Sequence, residues 1–596
     1  MKRVSRRKFF SLAAGAAAAA AAAKAEPTLS PHAPLNPDEP MGAPAAQNNE
    51  WDEFKPDITL DCAILTKEIE PGVTAKLRAY NGTIPGPLIT TKAGVTLKVR
   101  VTNSLPANDS QGWDGDMDVP HDFGNTNLHL HGLDIAPHIF EPLGTMNPIA
   151  PMIAIEPGEY KDYPFVIPDD QSPGLNWYHP HSHGSTAIQA VSGMAGGLIV
   201  KGAIDEVPAI KAAKDYILVV QDLGLFQSDQ AGSHYYDYDP KQNAIWQTFG
   251  GNVTIYDPVT KKPVVQPHLT CGFTTGDYAL RYYLLNGEPF FKETHNNDNP
   301  TSPTPTPMTP GQYTMRPGEV ARFRVLNACS DLMIPLQIAG DNGEPGADMW
   351  LLGMDGNNFN EPRLLPYVQG APQVFMGPAN RAEFLIKAGK AGSKYNIVQL
   401  AQTQQFLQAV QKTIATITVA GDPVDMKIPK TLPPITRDRP IRDDEIKEKR
   451  YFTFSGRFPG VDNPVVGIDF MINNQLYEEL ATPTVVFLND CEEWHIIVPA
   501  AIRGGTEGHP FHIHVNDFEV VSIAGIQQPP GTIQDTIWVA QNTASVIRMR
   551  FKQWTGKSVF HCHILPHEET GMMQNFLILP SVPMMHAPEM RIPKKS

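Results

Sequence analysis

Four His-x-His elements constrain this 596-residue chain more than any other feature it carries. They are His129-Leu-His131, His179-Pro-His181, His512-Ile-His514 and His561-Cys-His563. On a β-strand, residues i and i+2 share a face, so each element aims two imidazoles at one point. A single pair is ordinarily a surface or hydrogen-bonded histidine. Four pairs at matching places in two stretches of chain predict eight convergent imidazoles. That set suits several borderline metal ions, copper above all, and is too large for one ion.

The last element carries a second ligand set. Cys562 lies between His561 and His563, so its side chain faces the other way. His567 follows, then Met572, while His509 precedes the His512 pair. One thiolate, two imidazoles and a thioether form the His2Cys set with a weak axial methionine that defines a blue-copper electron-transfer centre. The alternation gives Cys562 to one centre and its two neighbours to the other, which joins the centres by a short covalent path.

Composition narrows the fold that presents these residues. Glycine (47) and proline (56) are frequent enough to punctuate long helices, which favours short strands joined by turns. Charged residues are 19% and aromatics 9%, with no long acidic or basic tract, so global disorder is excluded. Gly94-Val-Thr-Leu-Lys-Val-Arg-Val-Thr-Asn103 aligns without gaps to Gly318-Glu-Val-Ala-Arg-Phe-Arg-Val-Leu-Asn327. The two outer histidine blocks also correspond, and each later pair precedes a Gly-Met dipeptide, Gly193-Met194 and Gly571-Met572. Such repetition predicts an all-β chain of three related sandwich domains, at 51–205, 206–421 and 451–583, with a linker at 422–450. The Pro-Thr stretch Asp298–Gly311 reads as a low-complexity surface insertion, and residues 584–596 as a tail.

The first 25 residues read as a targeting segment. Ser5-Arg6-Arg7-Lys8-Phe9-Phe10 is a twin-arginine pattern, followed by an alanine-rich run and a small-residue cleavage site at Ala23-Lys24-Ala25. About 12 apolar residues fall short of the roughly 20 needed to span a membrane. Export through the twin-arginine machinery, cleavage and a periplasmic or extracellular monomer without a stable membrane anchor are expected. A proline-rich extended arm, residues 26–50, follows. The net charge is −15, more negative still without the six leader cations, which argues against nucleic-acid binding.

With these motifs in hand, the chain resembles the multicopper oxidases, the family of laccases, cuprous oxidases and bilirubin oxidases. The resemblance is carried by His129-Leu-His-Gly132, Trp177-Tyr-His-Pro-His-Ser-His-Gly184, His509-Pro-Phe-His-Ile-His514 and His561-Cys-His-Ile-Leu-Pro-His-Glu-Glu-Thr-Gly-Met572. It implies three cupredoxin-like Greek-key β-sandwich domains in tandem and four copper ions. By motif, His509, Cys562, His567 and Met572 would bind the type 1 copper, with Met573 the less favoured axial ligand. His129 and His512 would hold the type 2 copper. His131, His179, His181, His514, His561 and His563 would hold the type 3 pair. His183 falls outside the set, as a supporting or packing histidine.

The resemblance further implies that single electrons from a small reductant pass by way of Cys562 to the eight-histidine cluster, where O2 is reduced to two waters. Glu568 matches a family carboxylate that assists proton delivery. Relatives carry an Asp shortly after the first His-x-His-Gly; here Glu141 lies nearest to that position, one residue late, and Asp134 is the weaker candidate. Cys271 and Cys329 could form a disulfide in an oxidising compartment, and Cys62 and Cys491 are expected to be buried. Oxidation of phenols or aromatic amines is the favoured activity. Cuprous or other metal-ion oxidation ranks second, because the methionines are spread out. Bilirubin oxidation and a non-catalytic copper-binding scaffold remain open; a two-domain nitrite reductase is disfavoured.

Overall fold

The computed structural model describes residues 54–107, 117–118, 121–227, 280–296, 299–341, 344–368, 370–404, 407–434, 440–457, 469–500 and 508–581, with strand pieces at 235–236, 252–256 and 263–267. The leader, the proline-rich arm, Cys271 and the tail lie outside the described residues.

Each block opens with a strand that runs parallel to a later strand of the same block. Ile58–Cys62 pairs with Val99–Asn103, Lys214–Val220 with Ala321–Asn327, and Ile446–Thr453 with Cys491–Ile497. Parallel neighbours cannot be joined by a hairpin, so every block is crossed by a longer connection, as Greek-key sandwiches require. The aligned segments occupy the same place in their blocks, and their shared asparagines do the same work. Asn103 accepts from the backbone N–H of Leu105 and donates to Gly124 and Ile155 carbonyls. Asn327 accepts from the N–H of Cys329 and donates to Leu332 and Met376 carbonyls.

In the first block the sheet ordered Val73–Tyr80, Ile58–Glu70, Thr96–Asn103, Tyr160–Val166 faces a second one ordered Gly86–Lys92, Gly196–Lys201, Gly174–His179, His129–His131. Leu97, Val99 and Val101 alternate inward to their shared core. The third block repeats the plan. Its histidine-bearing sheet runs Thr484–Phe487, Met573–Leu579, Gly556–Cys562, Gly508–Ile513, Thr536–Ala540, over a core of Trp494, Phe511, Phe560 and Phe576. Between them the middle block builds the largest core, around Phe323, Phe384 and Ile417. Its strand Val320–Asn327 is buried at every position, because Ala321, Phe323 and Val325 enter that core while Leu326 packs on the other face with Leu175 and Trp177 of the first block.

Two stretches take strand form. In the Pro-Thr stretch read as a surface insertion, Asn299–Pro307 pairs as an edge strand with Glu288–Asn296, Pro307 opposite Phe291 and Pro305 opposite Glu293. Pro303, Pro305 and Pro307 fall at every second position of this edge strand, where a missing donor is tolerated. The strand Ile446–Arg457 also begins inside the stretch expected to be linker.

Candidate metal centre

Strand register sorts the donors into two sets. Phe511 stands opposite Cys562 and His512 opposite His561, so period-two alternation puts His509, Phe511 and Cys562 on the core face and His512 with His561 on the other. In the first block His129 stands opposite His179, the counterpart pairing.

On the core face, Cys562 Sγ lies 3.5 Å from His509 Nδ1 and 3.6 Å from His567 Nδ1, and the two nitrogens are 3.2 Å apart. All three residues are buried, and the Ile564 N–H donates to the sulfur at 3.4 Å. Burial, and then the neighbouring His509, drive the His567 imidazole well below its usual pKa, which keeps it in the neutral, ligating form. Phe470 stacks on the His567 ring, with centroids 3.7 Å apart. Met572 lies in the same core as Cys562 and Phe470, and its carbonyl accepts the Cys562 N–H at 3.1 Å. Met573 packs instead with Ile139, Phe140 and Tyr477.

The eight imidazoles of the other set interlock. His129 stacks on His514 and His131 on His512, with centroids 3.8 and 3.9 Å apart. The Nε2 atoms of His181 and His514 lie 3.2 and 3.3 Å from Nε2 of His561. Most of these rings have one nitrogen committed to the protein. His179 Nδ1 donates to Pro180 O, His561 Nδ1 to Cys562 O, and His512 Nδ1 to Asp535 O. The nitrogens left over, among them His129 Nε2, His131 Nδ1, His179 Nε2, His512 Nε2 and both of His563, are buried without a hydrogen-bond partner. Buried polar atoms are ordinarily satisfied, so convergent lone pairs of this kind fit metal ions as their partners. Burial lowers the pKa of His129, His131, His181, His512, His514 and His563 far below the usual value, and that of His179 to about 3. Neighbouring imidazoles add to the effect, so these seven are held neutral.

Glu568, fully buried, reaches between two of these rings. Its Oε1 lies 3.5 Å from His181 Nδ1 and its Oε2 3.0 Å from His561 Nδ1. Glu141 does not join them. Its carboxylate, the expected relay, is half exposed, at 49%, and pairs with Lys161 Nζ at 2.5 Å. Asp134 is buried, its backbone held by Gln171 and Trp554.

A second carboxylate that touches the imidazoles also comes from the third block, and it escaped the sequence reading. Asp535 accepts the His131 Nε2–H at 3.1 Å, the Thr536 hydroxyl at 2.8 Å, and both arms of Arg381 at 3.0 and 2.6 Å. Arg381 belongs to the middle block and also donates to Leu175 O and Asn176 Oδ1 of the first. Gly132, which closes the first histidine motif, sits at φ 91°, and a side chain there would run into Arg381, Asn176 and Asp535. The signal was an isolated acid within the strand-like run Thr532–Val539, where burial demands a partner.

Two further residues support the cluster. His138 bonds His129, and His183 lies outside the ligand set: its Nε2–H donates to Met117 O at 2.8 Å and its ring packs on Tyr477. Glu569, beside Glu568, accepts the N–H groups of Gly184 and Ala187 at the start of the Thr186–Val191 helix, although burial pushes its carboxyl up to about 8. Cys62 and Cys329 are free buried thiols, and Cys491 is buried. Cys329 Sγ contacts Val220 O, while its expected partner Cys271 is not among the described residues.

Sandwiches of this kind, with a buried His2Cys set joined through one cysteine to an eight-imidazole cluster, define a cupredoxin-type copper protein. Sequence profiles described as multicopper oxidase match residues 64–122, 123–204 and 447–582. A laccase from Bacillus stratosphericus is 26% identical over 84% of this chain and 90% of its own length. A bilirubin oxidase from Albifimbria verrucaria is 24% identical over 86% and 74%. Among solved structures, a Campylobacter jejuni multicopper oxidase described as a metallo-oxidase superposes with a TM-score of 0.61 at 22% identity, covering 91% of this chain and 94% of that one. The chain belongs to the multicopper oxidase family, whose members are copper-dependent oxidoreductases.

Proposed function

We propose that the protein couples four one-electron oxidations of a small reductant, a phenol or aromatic amine, to the reduction of O2 to two waters. The observation that carries this reading is the single peptide segment His561-Cys562-His563, which belongs to both donor sets at once. His509, Cys562, His567 and Met572 would hold the type 1 copper, and His129 with His512 the type 2. His131, His179, His181, His514, His561 and His563 would hold the type 3 pair. Four coppers supply one-electron storage matching the four electrons that O2 requires.

The chain contributes the rest. Cys562 provides the covalent bridge between the sets, one peptide bond from His561 and one from His563. Buried Glu568 sets its carboxyl oxygens against His181 and His561, in place to pass on the protons that oxygen reduction would consume. Asp535, clamped by Arg381, fixes His131 with its Nδ1 lone pair inward. The three domains and the cleaved twin-arginine leader belong to the same reading, which makes the mature enzyme a periplasmic or extracellular one.

Oxidation of a metal ion such as Cu(I) is the second reading. It is favoured by His567, only 1% exposed beneath Phe470, which leaves a bulky aromatic little ring edge to touch. Oxygen uptake by the copper-loaded protein with a phenol, an aromatic amine and Cu(I) separates the two. Fastest uptake with the organic reductants is expected; turnover with none of the three would overturn the enzymatic reading. A Glu568→Gln variant should keep its copper and its colour while losing about 10²–10⁴-fold in turnover, the usual worth of a positioned acid.

A further inference from the structure

The two imidazoles of His129-Leu-His131 are supported in different ways. His131 gives its Nε2–H to the carboxylate of Asp535. His129 meets a third imidazole: its Nδ1 lies 3.0 Å from His138 Nε2, with the rings nearly parallel at 11° and centroids 5.1 Å apart. Phe165 packs edge-on against the His138 ring.

Two backbone groups leave His138 a single tautomer. Its Nδ1 lies 3.0 Å from Ala136 O, a pure acceptor, so Nδ1 carries the proton. The Leu130 N–H, a pure donor, points at Nε2 from 3.2 Å, so Nε2 is a lone pair. His129 Nδ1 faces that lone pair and must donate to it. The proton of His129 is thereby committed to Nδ1, and His129 Nε2 is left as a buried lone pair with no hydrogen-bond partner among the described residues.

We propose that His138 is a positioning residue for the metal held by His129, setting that ligand's tautomer and ring orientation through a chain that begins at the Ala136 carbonyl. The inference rests on the reading of His129 as a type 2 copper ligand. It also predicts an asymmetry. A carboxylate partner adds negative charge and makes its histidine a stronger donor, whereas neutral His138 orients without adding charge.

The test compares copper-loaded wild type, His138→Leu and His138→Gln. The readouts are copper per chain, the rate of type 2 copper loss to a chelator, type 1 absorbance, and the remote-nitrogen coupling of the type 2 imidazoles by pulsed EPR. The leucine variant should keep its type 1 absorbance and lose type 2 copper about 10-fold faster or more, the usual effect of removing a ligand's supporting partner. The glutamine variant, whose amide both donates and accepts, should hold copper at nearly the wild-type rate with a shifted remote-nitrogen coupling. Equal release rates and identical couplings in all three proteins would overturn the inference. Should the leucine variant lack type 1 absorbance and so not have folded, the glutamine variant decides alone: a shifted coupling upholds the inference and an unchanged one overturns it. A wild-type protein with no type 2 signal would instead overturn the underlying copper assignment.

Discussion

A Cys562→Ser variant is expected to be colourless and to consume oxygen no faster than copper-free protein, with every reductant. The sulfur lies 3.5 Å from His509 Nδ1 and 3.6 Å from His567 Nδ1, where it supplies the thiolate of the set. A serine hydroxyl stays protonated and hard, and does not replace a thiolate toward copper. The substitution removes one atom's polarisability from a packed core, so the fold survives. His561 and His563 keep their strand positions, and the eight-imidazole set should retain its metal. Metal analysis, visible absorbance and oxygen uptake on one preparation check all three. Wild-type turnover by a protein lacking the type 1 absorbance would show that electrons do not travel by this residue.

The second large effect lies in a block that supplies no proposed ligand. Arg381 is fully buried and forms a two-armed pair with Asp535, within 3.8 Å of Asp355. Burial and the neighbouring Asp535 push the Asp355 carboxyl up to about 7, and Arg381 opposes that rise. An Arg381→Leu variant would leave two acids buried without a cation. Breaking a buried pair from one side costs about 3–5 kcal/mol, so a large drop in the denaturant midpoint is expected. Arg381→Lys should lose part of that stability, since an ammonium keeps the charge but not the planar fork. The double variant Arg381→Leu with Asp535→Asn should unfold later than Arg381→Leu alone, because the stranded charge is gone. A leucine variant as stable as wild type would refute the clamp.

The proposed ligands were legible because strand alternation is a short-range rule. His-x-His and the interposed cysteine need only period two to declare two opposed faces, and the paired registers His129–His179 and His512–His561 follow the same rule. The repeat Gly94–Asn103 against Gly318–Asn327 was legible for a similar reason, since an asparagine that bonds the N–H two residues onward is a local device. What escaped was long-range. Asp535 meets His131 across 404 residues and Arg381 across 154. No periodicity carries such a pairing; only the stray charge in a strand hints at it. Glu141 was chosen by its sequence distance from a motif, which does not foretell the Lys161 ion pair its side chain makes. His138 sat unremarked in the same stretch, because nothing in the sequence says which nitrogen it will present.

His181 and His561 meet across 380 residues, and Glu569 caps a helix that begins 383 residues earlier. No translation intermediate lacking the last domain can assemble that site. Copper capture is thus expected to need the first and third blocks together, and contact distance predicts that the local sandwiches close before the contacts they share. Once filled, it binds only the docked arrangement, so every increment of metal affinity is also an increment of resistance to the outer domains coming apart. Chelation should therefore loosen the molecule before it unfolds any single sandwich.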